Sequence, residues 1–153
     1  MKPWFAQSSC VRCVTIGRII KKRARRLSDF RLIRLTRTKD LLFWEVTPED
    51  KRKFVADPKK GSRHNRGCAV DLSLYDLLTG KEIEMTGNYD EMTQRSYSDY
   101  TGGTEQQRKM RDLLRSKMEA EGFKVIHDEW WHFDYKDWKD YRITNVPFEK
   151  IKS

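Results

Sequence analysis

Cysteine, histidine and proline are all scarce: the 153 residues include three, three and four of them. Cys10, Cys13 and Cys68 do not suggest a disulfide framework. Cys10-Val11-Arg12-Cys13 has the spacing of half a zinc ribbon, but the second cysteine pair is missing. Cys68 sits between Gly67 and Ala69 in an apolar run and reads as a small core residue. No stretch of about 18 apolar residues occurs, so no helix is expected to span a membrane. The first 26 residues lack the uninterrupted apolar core of a secretion signal, because Arg12, Arg18 and the basic run 21–26 break it. Taken as written, the chain is expected to stay in the cytoplasm; an exported, periplasmic protein is the alternative if a signal peptide has been lost. Internal repeats are absent, and nothing in the sequence specifies an oligomeric state.

What is present is charge, unevenly spread. Residues 1–66 hold 19 Lys and Arg against 6 Asp and Glu, and residues 67–153 hold 13 against 17, so a net +9 chain divides into a strongly basic half and a mildly acidic one. Such asymmetry can mark a nucleic-acid-binding arm. No helix-turn-helix, RNA-binding aromatic motif or finger spacing accompanies it, and no nucleic-acid partner is expected. Aromatics make up 12% of the chain, and the tryptophans lie mostly in the second half, which is therefore expected to fold around a core.

Residues 1–38 fit neither a helical nor a strand period. From Lys39 the pattern sharpens. Asp40 to Val46 predicts a short helix stopped ahead of Pro48, since the residue before proline avoids helical angles. Cys68 to Tyr75 alternates as a strand, with Asp71, Ser73 and Tyr75 on one face and Val70, Leu72 and Leu74 on the other. Glu82 to Met85 is placed to return as its hairpin partner, and 87–103 reads as a long polar loop over a site. Thr104 and Gln107 form a capping box that opens a helix carrying Met110, Leu113, Leu114 and Met118 as its apolar stripe, with Gly122 as the stop. Phe123 to His127 and Trp131 to Tyr135 predict two further strands, and the aromatic tail from Trp138 to Phe148 is expected to pack over the sheet.

Two stretches carry candidate chemistry: Ser62-Arg63-His64-Asn65-Arg66-Gly67-Cys68-Ala69-Val70-Asp71, and Glu129-Trp130-Trp131-His132. Together they offer two imidazoles, one carboxylate able to bind a metal, and one carboxylate to spare. A catalytic zinc site needs that inventory: three protein ligands, an open fourth position and a base alongside. Gly67 permits the turn needed between His64 and Asp71, and a bend at Trp130 lets Glu129 and His132 face one cavity. Singly, each fragment has an ordinary explanation as a hydrogen-bonding histidine, a turn-bonding aspartate or a strand with packed indoles. His127 keeps its ordinary explanation as a strand residue.

In combination, Ser-x-His-x-x-Gly-x-Ala-x-Asp followed by Glu-x-x-His resembles the VanX-like D-alanyl-D-alanine dipeptidases, zinc peptidases related to the D,D-carboxypeptidases and the Hedgehog signalling domain. The resemblance extends from about Lys39 to near the C-terminus and includes the Gly-Asn-Tyr-Asp-Glu-Met loop at 87–92 and Arg95-Ser96. It implies an α+β fold, a small antiparallel sheet with flanking helices, lacking some N-terminal elements. It also implies one zinc ion per chain and hydrolysis of the dipeptide D-Ala-D-Ala in cell-wall metabolism. His64, Asp71 and His132 match the zinc ligands, and Glu129 matches the general base. Ser62 matches a residue contacting the substrate carboxylate, and Asp90 the acid that holds the free amino group. An acceptor-only carboxylate there selects an ammonium end and so restricts the substrate to dipeptides.

One element departs from the pattern. The family's oxyanion-stabilising arginine, in a Tyr-Arg-Pro strand end, corresponds by counting to Leu35; Arg34 is one residue out of register and on a strand faces the other way. The chain therefore divides into residues 1–38, a basic segment unlike the family, and 39–153, a zinc peptidase domain. A shifted reading frame or a replaced start would produce such a boundary. Because one oxyanion donor is worth about 10²–10³ in rate, a catalytically impaired metal-binding remnant is the alternative to an active enzyme. On the frame-shift account, another frame of the encoding DNA upstream of Lys39 spells Tyr-Arg-Pro; its absence from all three frames counts against that account.

Overall fold

Three short strands and one long helix organise the computed structural model, which describes residues 43–74, 76 and 81–143. The strands β1 (Ala69–Asp71), β2 (Phe123–Val125) and β3 (His132–Tyr135) form one antiparallel sheet in the order β1-β3-β2, and helix α1 (Glu105–Ala120) precedes β2. This is the expected α+β arrangement. Expectations for residues 1–38, Arg34 among them, and for the tail beyond Ile143 lie outside the described residues.

The alternation along each strand decides what lies on either face of the sheet. Val70 pairs with Phe133, and Val125 pairs with Phe133 from the other side. These residues join Leu114 and Met118 of α1, with Leu72, Met85, Phe123, Trp130 and Trp131, in one buried apolar cluster. Asp71 lies opposite His132, and Ala69 opposite Asp134, on the reverse face. One face therefore packs on the helix and the other presents polar side chains.

Helix α1 begins as its sequence dictates. The Thr104 side chain accepts from the Gln107 amide at 3.1 Å, and the Gln107 side chain accepts from the Thr104 amide at 2.8 Å. Gly122, with φ of 86°, adopts the left-handed conformation that lets the chain leave the helix for β2. The expected apolar stripe needs correction at one position: Leu113 is 43% exposed, whereas Arg111 is buried. The buried face runs through residues 111, 114 and 118. Arg111 is accommodated there because its guanidinium donates to the Tyr100 carbonyl at 2.7 Å and pairs with Asp112 at 3.0 Å.

The strands are shorter than expected. β1 ends at Asp71 rather than Tyr75, although Leu72 still donates to the Trp131 carbonyl at 3.0 Å. Beyond that bond the chain at Trp130–Trp131 turns away and offers no further partner. Residues 82–85 are not a strand of the sheet, but Ile83 donates to the Leu74 carbonyl and Asp76 to the Lys81 carbonyl, each at 2.8 Å. His127 lies beyond β2, exposed, with Asp99 at 3.4 Å and Asp128 at 3.0 Å. The expected helix ahead of Pro48 is present over residues 43–46 within the described chain. Among the described residues no helix is long and apolar enough to cross a membrane.

Adjacent leucines offer a direct check on the orientation of α1. Leu114→Ala is expected to lower unfolding free energy by about 2–5 kcal/mol, as for other fully buried leucines, and Leu113→Ala by about 0.5 kcal/mol. Equal losses in denaturant melts of the two variants would contradict this orientation.

Candidate metal centre

The sheet register brings two of the candidate ligands together. Asp71 and His132 are directly paired across β1 and β3, and His132 Nδ1 lies 3.0 Å from Asp71 Oδ1. His64 arrives from a single 3-10 turn, His64–Arg66, that leads into β1. Gly67 closes the turn at φ of 67°, and its amide donates to the His64 carbonyl at 2.8 Å. This places His64 Nε2 3.1 Å from Asp71 Oδ2 and 3.1 Å from His132 Nδ1. Among the described residues, these three form the one group of three or more His, Cys, Asp or Glu side chains whose ligand atoms lie within 4.8 Å of one another.

The opposite atoms of both rings are already committed. His64 Nδ1 lies 3.2 Å from the carbonyl of Ala69, an acceptor only, so Nδ1 carries the hydrogen and Nε2 keeps its lone pair. His132 Nε2 lies 3.0 Å from Asp134 Oδ1, which fixes the hydrogen on Nε2 and turns Nδ1 toward the site. The second oxygen of Asp134 accepts from the Arg63 guanidinium. Asp71 Oδ1 is buried and, despite its closeness to His132, has no donor in hydrogen-bond geometry. A buried carboxylate oxygen lacking a donor, beside two imidazole nitrogens aimed at the same point, suits a divalent cation taking nitrogen and oxygen ligands.

Glu129 stands beside this group. The chain turns at Trp130–Trp131, His132 donates its amide to the Glu129 carbonyl at 3.3 Å, and Glu129 Oε2 lies 3.6 Å from His132 Nδ1. Burial, only partly opposed by His132 and reinforced by the charges of Asp71, Asp90 and Asp128, pushes the Glu129 carboxyl up to about 7. Burial would also raise Asp71, but the two imidazoles outweigh it and hold Asp71 well below the usual carboxylate range. Burial opposes a charge on His132, yet Asp134, Asp71 and Glu129 together push its pKa up to about 10. Tyr89 packs on Trp131 at a ring separation of 5.4 Å. Burial and the charges of Asp71, Asp90 and Glu129 raise its pKa.

Comparison with known proteins agrees with this geometry. The family described as D-ala-D-ala dipeptidase (Peptidase_M15) matches residues 32–151. The chain belongs to this family. A D-alanyl-D-alanine dipeptidase of Enterococcus faecalis is 34% identical over 110 residues, covering 63% of this chain and 54% of that protein. One from Escherichia coli K12 is 34% identical over 107 residues, 70% of this chain and 54% of that protein. One from Enterococcus faecium is 41% identical over 76 residues, 50% of this chain and 38% of that protein. The chain thus spans about half the length of the first two relatives. Members of the family are metallopeptidases, and the His64–Asp71–His132 group is able to hold a metal ion.

The remaining sequence candidates are distributed as follows. Ser62 is buried, and its hydroxyl oxygen accepts from the His64 amide at 3.2 Å. Asp90 adopts a positive φ of 59° on the 87–92 loop, near enough for its charge to raise Glu129. Three neighbours went unrecognised in the sequence: Arg63, Tyr89 and Asp134. Asp134 had a readable signal, since a residue two beyond His132 on a strand shares its face. Arg63 and Tyr89 had none, because their contacts depend on the tertiary fold.

The elevated His132 pKa sets a pH dependence for ion binding. Below about 10 the ring of the metal-free protein carries a proton that a ligated ion must displace. Metal affinity is therefore expected to rise with pH, by about tenfold per unit between pH 6 and 8 for one displaced proton. Chelator competition at several pH values measures this; a flat profile would contradict it.

Proposed function

We propose that this chain is a zinc-dependent dipeptidase hydrolysing D-alanyl-D-alanine in peptidoglycan and cell-wall metabolism. The observation that carries the reading is the convergence of His64 Nε2, Asp71 and His132 Nδ1 with Glu129 3.6 Å from His132, in a D-ala-D-ala dipeptidase family member. His64, Asp71 and His132 are the proposed zinc ligands. Zinc in such a set polarises a peptide carbonyl and makes water nucleophilic near neutral pH.

Glu129 is the proposed general base, taking the proton of the attacking water and handing it to the leaving amine. In the metal-free chain burial pushes the Glu129 carboxyl up to about 7; a bound divalent cation would lower it, leaving the carboxylate ionised as a base must be. Ser62 is proposed to donate its hydroxyl hydrogen to the substrate carboxylate, its oxygen being held in place by the His64 amide. Asp90 is proposed to accept the free ammonium of the dipeptide, from a loop position whose charge already reaches Glu129. Together these two select a substrate with both ends free and close together.

Glu129→Gln is expected to lower D-Ala-D-Ala turnover by about 10²–10⁴ while zinc content is unchanged. A chelator is expected to abolish turnover in the parent and added zinc to restore it. Parent-like turnover by Glu129→Gln would remove Glu129 from the role of base.

A further inference from the structure

We propose that Arg63 is a positioning residue for the metal centre, acting through Asp134 to hold the His132 ring with its Nε2–H on the Asp134 carboxylate. The inference rests on the reading of His64, Asp71 and His132 as ligands and deepens it. Asp134 is buried and divides its oxygens: Oδ1 faces His132 Nε2 at 3.0 Å, and Oδ2 accepts from Arg63. Without a partner on Oδ2, the carboxylate is free to rotate about its last bond and release the imidazole. A planar guanidinium on Oδ2 removes that freedom, because its N–H groups point in fixed directions.

Arg63 is itself held. Its guanidinium carbon lies 4.5 Å over the ring of Trp138, in the 3-10 turn Trp138–Asp140 that follows the sheet. Arg66 reaches the same ring at 5.7 Å, and its guanidinium donates to the Tyr141 carbonyl. One indole thus anchors both ends of the 63–66 segment that supplies His64. The order of contacts is Trp138, Arg63, Asp134, His132.

As an ion pair Arg63–Asp134 has little claim on stability, since the Arg63 side chain is 38% exposed and solvent screens it. Its effect is directional. Asp71, Glu129 and Asp134 surround two imidazoles, and Arg63 is the cation paired with Asp134. That pairing directs the Asp134 charge toward His132 Nε2 rather than toward the ion site.

Two measurements test the proposal, one of them independent of metal and of turnover. In the metal-free parent, proton NMR is expected to show a downfield His132 Nε2–H signal protected from exchange, and Arg63→Gln is expected to broaden it away. Zinc affinity, read by chelator competition, is expected to fall about tenfold in Arg63→Gln and about 10–100-fold in Asp134→Asn. The double variant is expected to bind no more weakly than Asp134→Asn alone, because Arg63 acts through that residue. An absent signal in the parent, an unchanged one in Arg63→Gln, zinc affinity within twofold of the parent, or multiplicative losses in the double variant would each overturn the assignment. Should Arg63→Gln fail to fold, Trp138→Leu keeps both charges and is judged by the same signal and the same affinity. A parent that binds no zinc and cleaves no dipeptide defeats the functional reading, while the imidazole signal still decides Arg63.

Discussion

The pairing of Asp71 with His132 across β1 and β3 constrains everything else in the molecule. In that register Val70 and Phe133 face the helix, and Asp71, His132 and Asp134 face away from it. A slip of one residue in either strand would turn an apolar side chain toward His64 and a charged one into the core. Burial of the apolar face therefore fixes the register, and the register brings Asp71 and His132 together. The three-residue β1 holds its place because backbone bonds continue past both its ends, from Leu72 to Trp131 and from Tyr135 to Cys68. Hydrophobic packing on one side of the sheet is what gives the polar side its geometry.

The polar face gathers more carboxylates than cations, an excess that a bound divalent cation would offset. Asp71, Glu129 and Asp134 gather around His64 and His132, and the other four side chains all lie within 3.6 Å of His132. Without an ion, a proton on His132 takes the role of counter-charge, hence its rise to about 10. Glu129 rises to about 7, because burial favours its neutral form and His132 opposes this only in part. Two groups of opposite type are thus displaced in the same direction, His132 by its carboxylate neighbours and Glu129 chiefly by burial. Such displacement is common at functional sites, where a group must hold a proton in one step and release it in another.

Much of the site was legible in the sequence, and the reason is local. His64, Gly67 and Asp71 lie within eight residues, so the turn and the strand joining them follow from one glycine and one alternation. Glu129 and His132 are three residues apart across a bend. The capping box of α1 is likewise a four-residue pattern. What was not legible depends on distant chain. Leu113 and Arg111 compete for the same helical face, and the outcome depends on a carbonyl at Tyr100 that no helical periodicity reveals. Strand ends went wrong for a similar reason: β1 stops where its partner turns, not where its own alternation fades. Arg63 lies next to His64 in sequence but owes its position to Asp134 and Trp138, more than seventy residues away.

The candidate metal-binding group and the neighbouring carboxylate are held by separate parts of the structure. The sheet fixes Asp71 and His132, while Glu129 lies in a turn whose neighbours are bonded from another direction. The Trp130 amide donates to the Ser96 carbonyl at 2.8 Å, and the Ser98 amide donates to the His127 carbonyl at 2.8 Å. Both bonds come from the 87–103 loop, and they grip the chain on either side of Glu129. That loop is in turn tied to α1, because Arg111 donates to Tyr100 and Arg108 donates to the carbonyls of Thr101 and Gly103 at 3.1 and 2.8 Å. A buried arginine on the helix is thus part of the support for a carboxylate on the far side of the sheet. The loop that brings Tyr89 and Asp90 to the site is also a brace for Glu129, held there by its own backbone.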